Sequence, residues 1–361
     1  MKARTALFLA TVAVVVGLPV APGAAGPIIT AGSGVLAQGA SLQIAGSAFG
    51  TKPTPAPIRY DDFEGGTVGQ KLGNGWTFNS YVPALDPVYA TDILRANSTR
   101  SAKAQFINGN TLTSFVQTIS PPAGKLYMDF WVNLQFGSTI PDNYKLFRLY
   151  GTYLDYPDTP FQFSISPHQF VLTSETLYYP SAEPPYWNTY TTTTGPDWNG
   201  KWQHIQSYFV MSSPHIGDGF AQIWLNGVPQ IGSSESTHWM FRDTGQPPTW
   251  DSILFGYYGY ATPSGYFTYW DNVYVDSTQA RVEIGDVPIY AAATHREIQR
   301  ATAWSNTSLN VILNRGSFPS FSGLYLYVVD SNGVASPGFA LAGVGGGSSA
   351  PSTPINLRVI R

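Results

Sequence analysis

Side chains suited to binding a sugar recur on three alternating segments of the chain, residues 126–136, 144–150 and 201–210. Successive side chains of a β-strand point to opposite faces, so every second residue shares a surface. Aromatic rings offer apolar faces to the C–H groups of a sugar, and amide, guanidinium and imidazole groups make directional hydrogen bonds. The alternation therefore predicts a polysaccharide-binding groove floored by Trp131, Asn133, Gln135, Arg148, Tyr150, His204, Gln206 and Tyr208.

Several other kinds of chemistry are excluded by missing motifs. The chain has no cysteine, which excludes disulfides, thiolate catalysis and cysteine–zinc sites. It has no nucleophile elbow, P-loop, Rossmann glycine signature or HExxH motif, and its five histidines lack metal-ligand spacing. No strand carries the closely spaced carboxylates that a retaining glucanase of β-sandwich fold would need.

The composition limits the class of protein. Charged residues make up 11% of the 361 residues, against about 25% in a typical soluble domain. Lys and Arg number 19 and Asp and Glu 22, so there is no basic excess for binding nucleic acid. The surface must instead be covered by uncharged polar residues, which is common in exported proteins that meet sugars.

The first 25 residues have the pattern of a signal peptide. Lys2 and Arg4 precede an apolar stretch from Ala6 to Val20, and small residues follow up to Ala25. We expect cleavage after Ala25 and a secreted or cell-surface protein. No later stretch is apolar enough to span a bilayer, so no membrane insertion is expected after cleavage.

The region 58–280 predicts an all-β, antiparallel jelly-roll sandwich. Short segments of period-two alternation are separated by turn-forming residues such as Gly, Pro, Asn and Asp, with no convincing helical pattern. In the segment 126–136 the alternation assigns one side to the core, made of Met128, Phe130, Val132 and Leu134.

The two flanks, residues 27–55 and 281–341, share a pattern of glycines, apolar residues and turn residues. The pattern consists of Pro27, Ile28, Gly39, Leu42, Ile44, Gly46, Phe49 and Gly50 in the first flank, and Trp304, Ser305, Ser308, Leu309, Val311, Gly323, Leu326, Val328, Asp330, Gly333 and Ser336 in the second. With these residues the flanks resemble the two halves of an immunoglobulin-like TIG (IPT) domain. The resemblance implies one small β-sandwich whose loop accepts the whole 58–280 domain, and residues 342–361 then form a flexible linker and the possible start of a further domain. Neither flank has enough apolar residues for a core of its own.

Three stretches of the central region, residues 60–76, 200–227 and 269–276, resemble concanavalin A-like jelly rolls of the laminin-G and polysaccharide-lyase type. The resemblance to lyases implies a Tyr or His base and an Arg or amide that neutralises a uronate. His204, Tyr208 and Arg148 match those catalytic roles, with Gln206 as the amide. The Q-I-H motif of alginate lyases is absent, because the order here is Gln203-His204-Ile205.

Related carbohydrate-binding jelly rolls also imply a structural calcium ion, although no cofactor is required. The matching carboxylates are Glu64 and Asp271, and backbone carbonyls would complete an oxygen shell.

Three functions stay open at this point: binding of an extracellular polysaccharide, a polysaccharide lyase acting by β-elimination, and a structural or adhesive surface module without catalysis. The third predicts that loops or the flanking sandwich cover the polar face of 201–210, whereas the first two need that face open.

Overall fold

The computed structural model of this chain describes residues 26–106, 113–136, 144–151, 161–166, 169–174, 189–191, 198–232, 236–242, 244–258 and 266–344. Strands make up nearly all of its regular structure, which confirms the all-β prediction. Helix is limited, in these ranges, to the 3-10 turns Pro83–Leu85, Tyr290–Ala292 and Leu341–Gly343. The predicted signal peptide, residues 1–25, and the linker from 345 onward lie outside the described residues.

A first sheet of nine strands forms one layer of a large sandwich. Strands are numbered in chain order. From edge to edge the first sheet contains β15 (Val228–Pro229), β14 (Gly219–Leu225), β13 (Trp202–Val210), β8 (Lys125–Gln135), β18 (Tyr266–Asp276), β6 (Ser101–Phe106) and β5 (Val88–Ala90), with β16 (Thr237–Trp239) paired to β14 and β3 (Arg59–Asp61) paired to β18.

A second sheet of seven strands forms the other layer. All of its strand pairs, like those of the first sheet, are antiparallel. Its order is β12 (Thr189–Thr191), β11 (Gln169–Ser174), β10 (Phe161–Ser166), β9 (Tyr144–Tyr150), β17 (Trp250–Tyr258), β7 (Phe115–Ala123) and β4 (Thr77–Phe78).

Aromatic side chains fill the space between these two sheets. The ring of Phe130 on β8 lies 6.1 Å from Phe147 on β9 and 5.5 Å from Phe255 on β17. Phe115 and Trp270 meet edge to face at 5.0 Å. The predicted core side of 126–136 is confirmed, because its four apolar residues are fully buried in this cluster.

Strands from both flanks form the small sandwich. Strand β2 (Ser41–Ser47) pairs with β21 (Ser308–Ile312), which places Leu42 opposite Val311 and Ile44 opposite Leu309, and these four side chains share one core. Gly46 fits only as glycine, since a Cβ there would lie 2.0 Å from the Ile28 carbonyl oxygen. The strand order is β1 (Ile28–Gly34), β2 (Ser41–Ser47), β21 (Ser308–Ile312), β20 (Arg296–Trp304), β19 (Arg281–Gly285), β22 (Tyr325–Val329) and β23 (Phe339–Ala340).

The assignment of this sandwich to the TIG family stays a prediction, because a strand order and a shared core do not by themselves identify a family.

Candidate functional site

The predicted groove residues of β8 and β13 do share one face of the first sheet. The antiparallel register places His204 beside Trp131 and Trp202 beside Asn133. This face does not open to solvent as a groove, because strands β19 and β20 of the small sandwich pack on it. Asn133, His204 and Gln206 are each 2% exposed. Trp131 and Gln135 are half-buried, and Gln135 donates a hydrogen bond to Asn133 at 2.7 Å.

Gln206 connects the two sandwiches through its amide group. Its Nε2 donates to Glu283 Oε1 at 2.7 Å and to Asp129 Oδ2 at 2.9 Å, and its Oε1 accepts from Arg296 Nη2 at 2.8 Å. Glu283 and Arg296 belong to the small sandwich. The amide is therefore used by the interface between the domains and is not available to a sugar.

Glu283 is the buried anion at the centre of this interface. Arg281 Nε donates to it at 2.9 Å, and Arg296 Nε lies 3.3 Å from its second oxygen. Burial acts to raise the pKa of Glu283, but the charges of Arg281 and Arg296 outweigh burial and hold the pKa at about 2. The carboxylate stays ionised at neutral pH and pairs with two buried guanidinium groups.

The two predicted bases are held in the same interface. His204 Nε2 lies 2.8 Å from Asp129 Oδ1, and the imidazole stacks on Trp131 with ring centres 4.6 Å apart. Tyr208 packs in a buried cluster with Ile298 of the small sandwich. Burial raises the pKa of Tyr208, which lowers the fraction of its hydroxyl that is ionised and able to act as a base.

Arg148 and Tyr150 lie on β9, in the second sheet, so the prediction that they line one groove with His204 and Tyr208 is wrong. The core between the two sheets separates them. The pairing of β9 with β10 is irregular: Phe163 of β10 lies opposite Phe147, but the next residue, Ser164, lies opposite Lys145. Strict alternation along 144–150 would place Leu146 on the same face as Arg148, but Leu146 is packed in the core, so the alternation is interrupted in β9.

Arg148 and Tyr150 instead lie on the face of the second sheet that points away from the aromatic core, where the guanidinium carbon lies 5.0 Å from the Tyr150 ring centre. They are 6% and 5% exposed. The roles of these residues in catalysis or sugar binding stay predictions, but their arrangement in one open groove is not the one found.

The contacts of Glu64 and Asp271 do not fit the predicted calcium site. Glu64 accepts a hydrogen bond from the Thr99 backbone at 2.8 Å, and Asp271 accepts one from Ser98 Oγ at 2.6 Å. Arg95 Nη1 lies 4.0 Å from Asp271, so a positive charge is already present. Among the described residues no group of three or more acidic or histidine side chains is placed to hold a metal ion. Glu64 and Asp271 instead hold the turn at residues 98–100 in place through these hydrogen bonds.

A cleft between the two sandwiches, which the sequence analysis missed, is lined by both polar and apolar groups. We call it the interdomain cleft, and its volume is about 810 Å³, within the usual range of ligand sites, roughly 300–1,000 Å³. The large sandwich contributes Tyr60, Asp61, Asp62, Gly65, Gly66, Thr67, Gln70, Lys71, Gly73, Asn74 and Tyr89, and the small sandwich contributes Gln38, Gly39, Arg300, Ile312, Leu313 and Asn314.

The two adjacent aspartates at the end of β3, Asp61 and Asp62, lie in different surroundings. Asp61 is buried, and its carboxylate accepts hydrogen bonds from Asn74 Nδ2 at 3.1 Å and Trp76 Nε1 at 2.8 Å. Asp62 is half-buried and lines the cleft. Burial raises the pKa of Asp62, and the charge of Asp61 acts in the same direction.

The small sandwich contributes an amide and a cation to the cleft wall. Asn314 is 5% exposed, and its Oδ1 accepts from the Gly316 backbone at 2.9 Å. Its Nδ2 is buried and has no hydrogen-bond partner among the described residues. The exposed Arg300 places its guanidinium 5.7 Å from the Tyr60 ring centre.

No helix within the described ranges is both long and apolar enough to cross a membrane. The sequence matches no protein-family model, and no curated protein matches it.

Part of the chain is similar to solved β-structures. A cellulose-induced protein is 18% identical, over 61% of this chain and 97% of its own, with a TM-score of 0.40. An endo-β-1,4-glucuronan lyase from the fungus Trichoderma reesei is 12% identical, over 62% of this chain and 96% of its own, with a TM-score of 0.41. Alginate lyase Aly36B is 12% identical, over 62% of this chain and 97% of its own, with a TM-score of 0.42. At these values the similarity assigns no function to this chain.

Proposed function

We propose that the protein is an exported carbohydrate-binding protein and that the interdomain cleft holds part of a polysaccharide chain. The observation that carries this proposal is the interdomain cleft itself, whose wall includes the Asp62 carboxylate, the Arg300 guanidinium and the Asn314 amide.

The charges of the cleft favour a hydroxyl-rich ligand. Asp62 and Arg300 have opposite charges, and Lys71 is paired with Asp86 at 2.7 Å, so the wall has no strong excess of either sign. A carboxylate accepts hydrogen bonds from sugar hydroxyls, and a guanidinium or amide donates to them. Tyr60 adds an aromatic ring to the same wall.

Affinity electrophoresis of the folded chain in gels that contain neutral or acidic polysaccharides tests the proposal. We expect retention by at least one polysaccharide, and weaker retention for Asp62→Ala and for Arg300→Ala. Each variant removes a charge-assisted hydrogen bond worth roughly 1.5–3 kcal/mol, so the dissociation constant should rise by about tenfold or more.

Asp92→Ala provides the matched control, because Asp92 is an exposed acid that does not line the cleft. It should leave retention unchanged. A folded protein that no polysaccharide retains would contradict the proposal, as would retention that survives in both cleft variants.

A structural or adhesive module without a small ligand is the second candidate. The observation that favours it is the small sandwich packed on the polar face of β13, since this reading predicts a covered face. The same gels distinguish the two candidates, because a structural module gives no retention.

The lyase alternative receives no support from the geometry. His204 and Tyr208 are buried in the first sheet, whereas Arg148 lies in the second. These three side chains do not surround one space in which a uronate could bind.

A further inference from the structure

A buried lysine and a buried aspartate meet where the chain passes between its two sandwiches. Lys52 lies in the segment that leads from β2 into the large sandwich, and Asp276 is the last residue of β18, just before the chain returns to the small one. Lys52 Nζ lies 2.6 Å from Asp276 Oδ2, and the two side chains are 0% and 1% exposed. The pair thus joins the incoming and outgoing segments.

Aromatic side chains surround this pair. The hydroxyl of Tyr274 lies 3.2 Å from Lys52 Nζ and donates a hydrogen bond to Asp276 Oδ2 at 2.8 Å. The ring centre of Trp304 lies 5.4 Å from Nζ. One hydroxyl therefore contacts both the amine and the carboxyl group in a site without solvent access.

Burial favours the uncharged forms of both groups. It lowers the pKa of Lys52 and raises the pKa of Asp276, and the attraction between the two charges only partly opposes these shifts. An uncharged amine has a lone pair and is a nucleophile, and a protonated carboxyl group can lose its oxygen as water.

We propose that Lys52 and Asp276 become joined by an amide bond between Lys52 Nζ and Asp276 Cγ. The nucleophile is already 2.6 Å from an oxygen of the group that it attacks, and a reacting pair held at roughly 3–3.5 Å gains much of its rate from this placement.

The reaction is a condensation that needs no oxidant or other reactant. The Nζ lone pair forms the bond to Cγ, one C–O bond of the carboxyl group breaks, and that oxygen leaves as water with its own proton and one proton from the amine. The Tyr274 hydroxyl is placed to pass the proton from Nζ to the leaving oxygen.

Such a bond would close residues 52–276, which include all strands of the large sandwich, into one covalent loop. The chain has no cysteine, so no disulfide can do this. A cross-link that closes a long loop stabilises a protein mainly by restricting its unfolded chain.

Mass spectrometry of the folded full-length chain tests the proposal. We expect an intact mass lower by one water molecule than the sequence requires for the observed N-terminus. After trypsin, the peptide that ends at Arg59 should remain linked to the peptide 243–281. The Lys52–Pro53 bond resists trypsin in either case, so the linkage is read from the combined mass and its fragments.

The variant Lys52→Met should show the full sequence mass and separate peptides. The control Lys71→Met, which removes the exposed amine that pairs with Asp86, should keep the lower mass. An unmodified wild-type mass with two separate peptides would overturn the proposal, because it would mean that Lys52 and Asp276 form only a non-covalent ion pair. A loss of water confined to the 243–281 peptide alone would also overturn it, because a cyclic imide at Asp276 has that signature. The wild-type spectrum decides the question even where a variant fails to fold.

Discussion

The two faces of the first sheet are both buried, yet they are built from opposite kinds of side chain. On β8, Met128 and Phe130 point into the aromatic core, whereas Tyr127 and Asp129 point toward the small sandwich. The inner face packs against apolar rings. The outer face is held by hydrogen bonds and ion pairs centred on Glu283. A polar strand face can therefore be an interface within the chain rather than a binding surface.

The two faces should respond differently to substitution. Apolar burial is non-directional and contributes roughly 25 cal/mol per Å². A buried polar network contributes little net stability when complete, but loss of one member leaves the others desolvated and unpaired. The predictions below use this difference, starting with the largest expected effect.

Removal of residues 281–361 deletes β21, which pairs with β2 from the second flank, and leaves β2 paired only with β1. We expect the amides of Leu42 and Ile44 to lose all protection from hydrogen exchange, while β8 and β18 in the large sandwich remain protected. Persisting protection of Leu42 and Ile44 would show that the first flank folds without the second.

Replacement of Glu283 by Ala leaves Arg281 and Arg296 buried without their anion. We expect the free energy of unfolding to fall by about 3–5 kcal/mol, as measured by chemical denaturation. The matched control is Asp92→Ala, which breaks the solvent-exposed pair with Lys103 and should cost roughly 0–1 kcal/mol. Equal effects of the two substitutions would argue against a buried network.

Asp271 should make stability fall as the pH rises. Burial raises its pKa from 3.8 to about 7, so between about pH 4 and pH 7 the folded state retains a proton that the unfolded state releases. The effect on the free energy of unfolding is at most about 4 kcal/mol across that window. The variant Asp271→Asn should lack this part of the pH dependence. Parallel pH profiles of wild type and variant would contradict it.

A reciprocal pair of substitutions compares the faces directly. Gln206→Met removes the amide that bonds to Glu283 and Arg296, and Met128→Gln places an amide in the apolar core. Each substitution should lower the free energy of unfolding, as measured by chemical denaturation, by about 1–3 kcal/mol. The volume-conserving control Met128→Leu should cost less than about 1.5 kcal/mol. If the Gln206→Met variant were as stable as this control, the hydrogen bonds of Gln206 to Glu283 and Arg296 would not be needed for the stability of the outer face.

Much of the fold could be predicted from alternation alone, because it reports which side chains share a face. The core side of 126–136, from Met128 to Leu134, was predicted in this way and is confirmed. Alternation does not report what covers the other face. That depends on the docking of residues such as Glu283 and Arg296, which follow in the chain by more than a hundred positions.

The candidate site was harder to predict for two physical reasons. A single irregularity in strand pairing, such as the one beside Phe163, changes which residues share a face, and the sequence of β9 does not mark it. The interdomain cleft combines Gln38, Asp62 and Asn314 from three distant segments. The paired aspartates after Tyr60 were visible in the sequence, but their opposite environments arise only from the packing of two domains.

The covered polar face is the central claim, and the reactivity of the histidines toward diethylpyrocarbonate tests it most directly. His204 is 2% exposed under the small sandwich, whereas His215 and His238 are exposed in the same chain and act as internal controls. Peptide mapping of the folded protein should show rapid modification of His215 and His238 and none of His204 until the chain is denatured. Modification of His204 in the folded protein at the rate of His215 would contradict the account, because it would mean that the face is open.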